Sequence, residues 1–433
     1  MKFGRVDEVA SWRLCMGCGA CVSVCASGAI SLTDVQDEGF RPSVDERKCR
    51  KCGKCVKTCP GIEMSHLPFD GDTIPQLQES WGPVLEIWEG YAEDKEIRFK
   101  GSSGGVVTAL ALYGLEKEDA GGVLQTGASV RFPWQSETVF SRDRKTLLSC
   151  AGSRYCPASP CERFDYIRES TRPCIFIGKP CDVAALTRVR LVDPLLGRKI
   201  ALTISIFCAG TPATRGTEAL LEALQVKPEQ LETLRYRGCG WPGETTVEIK
   251  GGRIRQMTYE QSWGEILSKY GQFRCRLCPD GTGEFADIAC GDPWYRKIEP
   301  GDMGRSLVLI RTEKGKRFLR NAMRAGYVKL EKVGADTVPR SQKSLLRRRR
   351  HLWGRLATMQ LLGVPVPSYR GFSLFTNWMG LPAIEKIRSI AGTLKRIVLR
   401  GWAKPLKSAV TSSGFPEAGY VGESVVSIDK AGL

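Results

Sequence analysis

The chain has 433 residues, enough for two or three domains, and 42% of them are hydrophobic. Only two are histidines, His66 and His351, which excludes catalysis built on a histidine triad or a multi-histidine metal centre. The net charge of +17 is uneven: from Ser341 to Leu433 there are 15 Lys/Arg against 4 Asp/Glu, an asymmetry that concerns partners rather than the core fold.

No apolar run reaches the roughly 18 residues of a spanning helix. The N-terminal stretch "MKFGRVDEVASWRLC" mixes acids and bases and has no apolar centre, so a secretory leader is not expected. Eighteen cysteines in a long chain of this kind point to metal ligands in a reducing, cytoplasmic compartment.

The first element is a repeat. "LCMGCGACVSVC" (14–25) and "KCRKCGKCVKTCP" (48–60) lie 34 residues apart. Zinc usually takes two Cys pairs separated by a longer loop, and disulfides need facing Cβ atoms. Thiols at intervals of three instead fit the bacterial [4Fe–4S] pattern, in which the fourth Cys of each run serves the other cluster. One cluster is therefore expected on Cys15, Cys18, Cys21 and Cys59, the other on Cys49, Cys52, Cys55 and Cys25. Ala26 stands where the second run has Pro60. Between the runs, "AISLTD" and "FRPSV" read as strands around a turn at 37–39. A polar linker with Pro68 and Pro75 follows, to about Gly82.

The next 250 or so residues alternate apolar strand-like runs with Gly- or Pro-marked loops and helical stretches. "VLEIWEGYA", "GGVLQTGA" and the openings of "PCIFIGKPCDVAALTRVR" and "KIALTISIFCAGTPATRGTEALLEAL" read as strands, and the last two continue into helices. Functional loops are expected at the carboxyl ends of such strands. "LETLRYRGCGWPGETTVEIKGGRIRQMTY" carries a hairpin signal, so the body is mixed rather than purely doubly wound. In "PAIEKIRSIAGTLKRIVLRGW", Ile384, Ile387, Ala391, Leu394 and Val398 fall at helical spacing among Lys and Arg. The last 25 residues read as loose.

Two features of the body carry chemistry. "KGSSGG" (Lys100 to Gly105) precedes a helix, and such a loop lets backbone N–H groups approach a phosphate. Neither GxGxxG nor a Walker A motif occurs. "CRLC" (Cys275 to Cys278) is redox-active, zinc-binding or structural, and needs two more thiolates to hold a cluster. Cys181 and Cys208 in strand-end loops come first, then Cys156 and Cys290. Cys150, Cys161, Cys174 and Cys239 read as ordinary small side chains.

In chain order, "KGSSGGVVTALALY", "GSRYCPASP", "FIGKPCDVAAL", "IFCAGTP", "YRGCGWPG", "CRLCPDGTGEFADIACGDPWY" and "SLVLIRTEKGKRFL" resemble the coenzyme F420 hydrogenase/dehydrogenase beta-subunit family over about residues 83 to 330. The resemblance implies FAD and a third [4Fe–4S] cluster. It places Lys100, Ser102, Ser103, Gly104 and Gly105, with Ser153, Arg154 and Tyr155, at the flavin. Cys181, Cys208, Cys275 and Cys278 match the family's recurrent cysteines. Asp287 and Asp292 match its acidic positions, as loop or cofactor anchors. Lys179 stands where the family more often has a small polar residue.

The implied protein is an α+β, mixed α/β chain. A bacterial-type 2[4Fe–4S] ferredoxin-like domain (1–65) and a linker (66–82) precede an α/β flavin-binding body in two parts (83–170 and 171–335) and a basic, partly amphipathic helical tail (336–433). It is an iron–sulfur flavoprotein oxidoreductase, or alternatively a non-catalytic electron-transfer subunit. The family includes users of coenzyme F420 and enzymes that reduce chlorophyll-type substrates with ferredoxin electrons. Ferredoxin or another redox protein and a small-molecule substrate are the implied partners. No nucleic-acid-binding motif accompanies the "RRRR" run. The basic tail is a solvated face, or docks on an anionic membrane surface or an acidic electron donor. Proton delivery falls to Lys100, Arg154, Lys179, water or the substrate.

Overall fold

The computed structural model describes residues 3–66 and 71–406; the expected loose C-terminal segment lies outside the described residues. Two antiparallel strands, β1 (Ile30–Val35) and β2 (Gly39–Val44), lie between the cysteine runs. The runs fold alike. Gly19 and Gly53 hold left-handed φ angles of 85° and 70° and open the short helices Ala20–Ser23 and Lys54–Lys57. Glycine takes this conformation without steric cost. Their surroundings differ: a Cβ on Gly19 would lie 2.7 Å from Glu162 of the body, and one on Gly53 would meet nothing within 4 Å. The first run is therefore pressed against the body at its left-handed glycine, whereas the second touches it through the Lys57 carbonyl, which accepts Arg188 Nε at 3.0 Å. In the first run the Gly17 carbonyl accepts Ser159 Oγ at 2.6 Å, and the Cys18 carbonyl accepts the Cys161 N–H at 3.0 Å.

After β3 (Glu63–Ser65) the chain builds a central sheet from β4 (Glu86–Ala92), β5 (Val123–Ala128), β6 (Ser136–Ser141), β7 (Cys174–Gly178) and β8 (Ile200–Ile206). It then makes a separate antiparallel sheet of β9 (Leu231–Arg235), β10 (Thr245–Ile249) and β11 (Arg253–Met257), turning at Gly251 and Gly252 as the hairpin signal required. β12 (Ile288–Gly291), β13 (Ser306–Ile310) and β14 (Val328–Lys332) return to the central sheet, whose order is β14-β4-β13-β12-β8-β7-β5-β6. The four inner strands β12, β8, β7 and β5 are parallel, and the outer pairings are antiparallel. The carboxyl ends of four neighbouring strands thus open on one edge. β7 is buried along its whole length because helices cover both faces. Ile175 and Ile177 pack with the Val106–Lys117 and Glu313–Arg324 helices, and Phe176 with the Pro180–Val189 helix.

Two segments differ from the sequence reading. Within 66–82, expected as a linker, Pro75–Trp81 is a helix whose Leu77 and Trp81 are buried against Ile87, Leu309 and Leu345. Residues 337–406, expected as a tail, are folded onto the rest. The Lys343–Leu361 helix buries Leu352, Leu356 and Met359, and β15 (Ser368–Arg370) pairs in parallel with β3. The physical reason lies inside the "RRRR" run. Arg349 is only 3% exposed. It is ion-paired with Glu284 and donates to the carbonyls of Phe372 at 2.8 Å, Glu79 at 3.1 Å and Pro279 at 3.3 Å. His66 Nε2 closes on the other Glu284 oxygen at 2.8 Å and stacks on Phe285. One buried pair thus fastens the C-terminal helices, the 71–82 segment and the ferredoxin-like domain to one loop.

The final described helix, Ala383–Leu399, turns Ser389, Thr393 and Ile397 inward. Its apolar spacing faces solvent: Ile384, Ile387, Leu394 and Val398 are exposed. Among the described residues, no helix is long and apolar enough to cross a membrane.

Burial pushes the Glu284 carboxyl up, but Arg349 and His66 outweigh it and hold it at about 2. A carboxyl depressed below its unfolded value stabilises the fold above that value. This contribution is therefore present at neutral pH and is lost as pH falls from about 4.5 towards 2. Arg349→Met, which leaves Glu284 buried against one partner fewer, should cost about 3–5 kcal/mol in denaturant unfolding. Arg350→Gln, one residue along and exposed, should change stability by less than about 0.5 kcal/mol.

Candidate functional site

Twelve of the eighteen cysteines fall into three groups, and all eighteen are free. Burial pushes the Cys21 thiol far up, and Cys15, Cys18 and Cys59 push it further. The Cys59 thiol is pushed up to about 12 by burial, Cys15 and Cys18. These four lie within electrostatic reach of one another. In the second group burial raises Cys55, which also feels Cys52 and Cys25. Cys49 opens that run, its N–H bonded to the Asp45 carbonyl at 3.0 Å. In the third, Cys181 is pushed far up by burial and Asp182, with Cys208 and Cys278 adding. Burial raises Cys208 and Cys278, the latter to about 12, and both feel Cys275. Backbone N–H groups already reach into each group: Gly17 to Cys15, Ala29 to Cys25 and Thr211 to Cys275, each at 3.3 Å.

Grouped buried thiols cannot all ionise unless positive charge joins them. Among the described residues no three His, Cys, Asp or Glu side chains converge as they would on a single ion. All-cysteine sets with the spacing of the two runs suit iron–sulfur centres. Cys161, expected as ordinary packing, hydrogen-bonds the Cys18 thiol and lowers its pKa. Arg274, 1% exposed, is felt by Cys15 and Cys59 of the first group and by Cys278 of the third. It donates to the carbonyls of Leu277 and Pro60, so one side chain is shared by segments that carry the two groups.

The carboxyl ends of the parallel strands enclose a cavity of about 250 Å³. Thr126 of β5, Gly178 of β7, Ile206 of β8 and Gly291 of β12 all border it, as the switch-point rule requires. So does Cys208, so the third thiol group and the cavity share a wall. In the Ser/Gly loop, Ser102, Ser103 and Gly105 line the cavity. Lys100 does not: it is exposed and paired with Glu96 at 2.9 Å, which removes it from proton delivery here. Nor does Gly104, whose N–H bonds Ser306 Oγ at 2.9 Å; a Cβ there would lie 2.5 Å from the Gly90 carbonyl. Gly105, at φ 73°, starts the Val106–Lys117 helix without a side-chain cap. The uncapped first turn, Val106 to Thr108, faces the cavity.

Ser153, Arg154 and Tyr155 also line the cavity. Ser153 N–H donates to Ser102 Oγ at 2.6 Å. The Arg154 guanidinium is held by the carbonyls of Gln135, Pro133 and Leu234 at 2.7, 2.9 and 3.1 Å. Two further cations are neutralised. Lys179 pairs with Asp182 at 2.8 Å, and Arg237 forks onto Asp292 at 2.6 and 2.8 Å. Trp241 Nε1 also donates to Asp292 at 2.8 Å. Tyr259, Trp263 and Trp294 complete an aromatic side, and a π-helical turn, Glu260–Ile266, carries Trp263. Asp287 lies elsewhere, accepting Thr203 N–H, Thr203 Oγ1 and Thr312 Oγ1 at 2.8, 2.8 and 2.7 Å.

Residues 87–164 match the N-terminal model of the coenzyme F420 hydrogenase/dehydrogenase beta subunit, and 172–336 match its C-terminal model. Together these cover more than half of the chain. The chain belongs to that family. Residues 14–61 match a 4Fe–4S dicluster domain, so it is an iron–sulfur member of a family of oxidoreductase subunits. The coenzyme F420 hydrogenase subunit beta of Methanococcus voltae is 27% identical over 64% of this chain and 95% of its own length. The coenzyme F420-dependent sulfite reductase of Methanocaldococcus jannaschii is 23% identical over 80% of this chain, which spans 52% of that enzyme. A chain of the F420-reducing [NiFe] hydrogenase complex from Methanosarcina barkeri superimposes with a TM-score of 0.50, at 22% identity over 66% of this chain and 95% of that one. The last likeness is one of fold.

For this family member, the sequence reading missed Arg237 and the aromatic side of the cavity. Arg237 stands in "YRGCGWPG" and Trp294 in "CGDPWY", both noted as motifs without a role for these residues. Gly104→Ala should destabilise the fold by about 1–3 kcal/mol in thermal unfolding, because the new methyl group meets backbone. Lys100→Ala should change stability by less than about 0.5 kcal/mol and leave cofactor content unaltered.

Proposed function

We propose that the chain is an iron–sulfur flavoprotein oxidoreductase, exchanging electrons between three [4Fe–4S] clusters and a two-electron carrier at the cavity. The observation that carries this reading is the wall shared by Cys208 and the cavity. When bound, clusters supply electrons singly and FAD exchanges them in pairs as a hydride equivalent. Everything else falls to the chain. Cys52 is exposed, so the second group is the entry for a ferredoxin or another redox protein. Arg274 spans the first and third groups. The uncapped helix start and Arg154 favour the phosphates of the dinucleotide. The aromatic side offers stacking and limits water. Lys179 and Arg237, already paired, are kept for position rather than charge.

A deazaflavin of the coenzyme F420 type is the proposed carrier, on the strength of the relatives' names. A reducing cytoplasm is the compartment that suits twelve cluster thiolates. The exposed arc of Ile384, Ile387, Leu394 and Val398, beside Arg388 and Lys395, suits an anionic membrane surface as a peripheral contact.

Anaerobic purification should give about 12 iron atoms and one FAD per chain. Cys208→Ser should lower iron to about 8 and leave the two ferredoxin-like clusters; unchanged iron would remove Cys208 from the ligand set. Thr108→Asp places a carboxylate where a helix start tolerates it but a phosphate does not, and should reduce bound flavin at least about tenfold with iron unchanged. Flavin that stays bound would sink the phosphate assignment. Reduction of a soluble deazaflavin by the isolated chain separates an enzyme from a subunit that only conducts. Leu394→Asp should weaken pelleting with anionic vesicles without lowering Tm, since Leu394 is exposed. A wild-type chain that does not pellet would refute the membrane contact.

A further inference from the structure

Behind the Cys275–Cys278 turn is a second, smaller cavity of about 50 Å³. Three arginines from three elements line it: Arg276 from the Phe273–Leu277 turn, Arg355 from the Lys343–Leu361 helix and Arg396 from the Ala383–Leu399 helix. The rest of the wall is apolar apart from Thr393, and Trp402 closes it with its ring against Phe273. No carboxylate lines it. Among the described residues none of the three arginines is ion-paired. The charged groups around Arg355 are Arg396, Arg348, Arg276 and Arg347. Arg396 has Arg400 beside it, and Arg276 has Arg400, Arg396 and Arg348, with the Cys275 thiol acting on it in the opposite sense.

Each guanidinium carries five donors. Arg355 uses one on the Arg276 carbonyl at 2.9 Å, and its Nε is buried without an acceptor. Arg396 uses one on Thr393 Oγ1 at 3.5 Å. Burial and its like-charged neighbours push the Arg355 guanidinium down to about 10, far from the ordinary arginine range. Half-buried cations gathered with unused donors and no carboxylate partner are costly unless an anion joins them.

We propose that Arg276, Arg355 and Arg396 form a binding site for one small tetrahedral oxyanion of the phosphate or sulfate class. Arginine forks match oxyanion geometry. A cavity of about 50 Å³ has room for a few water-sized groups, the size of a small oxyanion, and is one-fifth of the cavity at the strand ends. The apolar remainder offers nothing to a hydrated cation. The site is separate from the 250 Å³ cavity and does not rest on the flavin reading. Arg276 stands between Cys275 and Cys278, so occupancy sets how much positive charge faces those thiols.

The test is equilibrium dialysis of the full chain against radiolabelled inorganic phosphate, in chloride buffer at constant ionic strength. One saturable phosphate per chain is expected, displaced by sulfate and not by added chloride. Arg355→Gln and Arg396→Gln should each weaken it at least about tenfold, the loss of roughly one charged hydrogen bond. Arg388→Gln, whose arginine is exposed and paired with Glu385, should leave it unchanged. Absence of a saturable site, equal displacement by chloride, or unaltered affinity in the Arg355 and Arg396 variants would overturn the proposal. Thermal unfolding gives a second reading. Phosphate should raise the wild-type Tm, and Arg355→Met should raise Tm in chloride alone by removing an unbalanced charge. A lower Tm for Arg355→Met in chloride would mean that the protein already balances this arginine, and would count against the site.

Discussion

The architecture hangs on a carboxylate that has no water. Glu284 is buried, and Arg349 and His66 are the side chains that make it tolerable there. Removing charges from solvent is unfavourable by several kcal/mol per ion, so such a carboxylate forces its partners into place. Each partner brings its own segment: Arg349 the C-terminal helices, His66 the end of the ferredoxin-like domain. Both meet on the loop that follows Cys278. The consequence is positional precision where the third thiol group must be assembled from strand-end loops and a distant turn.

That precision gives the molecule its order from outside to inside. An exposed thiol, Cys52, marks the outer group; the next group is buried against the body; Arg274 bridges to the third; the third borders the cavity. The cavity itself holds its cations in two different ways. Lys179 and Arg237 are neutralised by Asp182 and Asp292, while Arg154 is held by carbonyl oxygens that leave its charge in place. Among these three cations, Arg154 is therefore the one without a carboxylate partner.

Much of this was written locally. Cysteine spacing is a short-range signal, and the βα alternation with Gly-marked loops placed the cavity at the correct strand ends. The repeat survives down to its left-handed glycines. What was not legible depends on long-range pairing. Nothing near "RRRR" says that Arg349 is buried and its neighbour Arg350 exposed, because the deciding carboxylate is 65 residues away. Ile384 and Leu394 mark an amphipathic helix correctly, yet periodicity does not reveal that the helix packs through Ser389 and Thr393 instead. Lys100 and Gly104 share a motif with Ser102 and Ser103, and only the turn itself sends the serines to the cavity, Gly104 to the sheet and Lys100 to solvent.

The two halves of the N-terminal repeat have been given unequal freedom. Around Gly19 the chain is pressed against Glu162, so its surface there is fixed by the body it serves. Around Gly53 an added atom meets no neighbour. One half behaves as a plug and the other as a handle. The surface at Gly53 can therefore change its side chains without meeting the body, whereas the surface at Gly19 cannot change without moving Glu162.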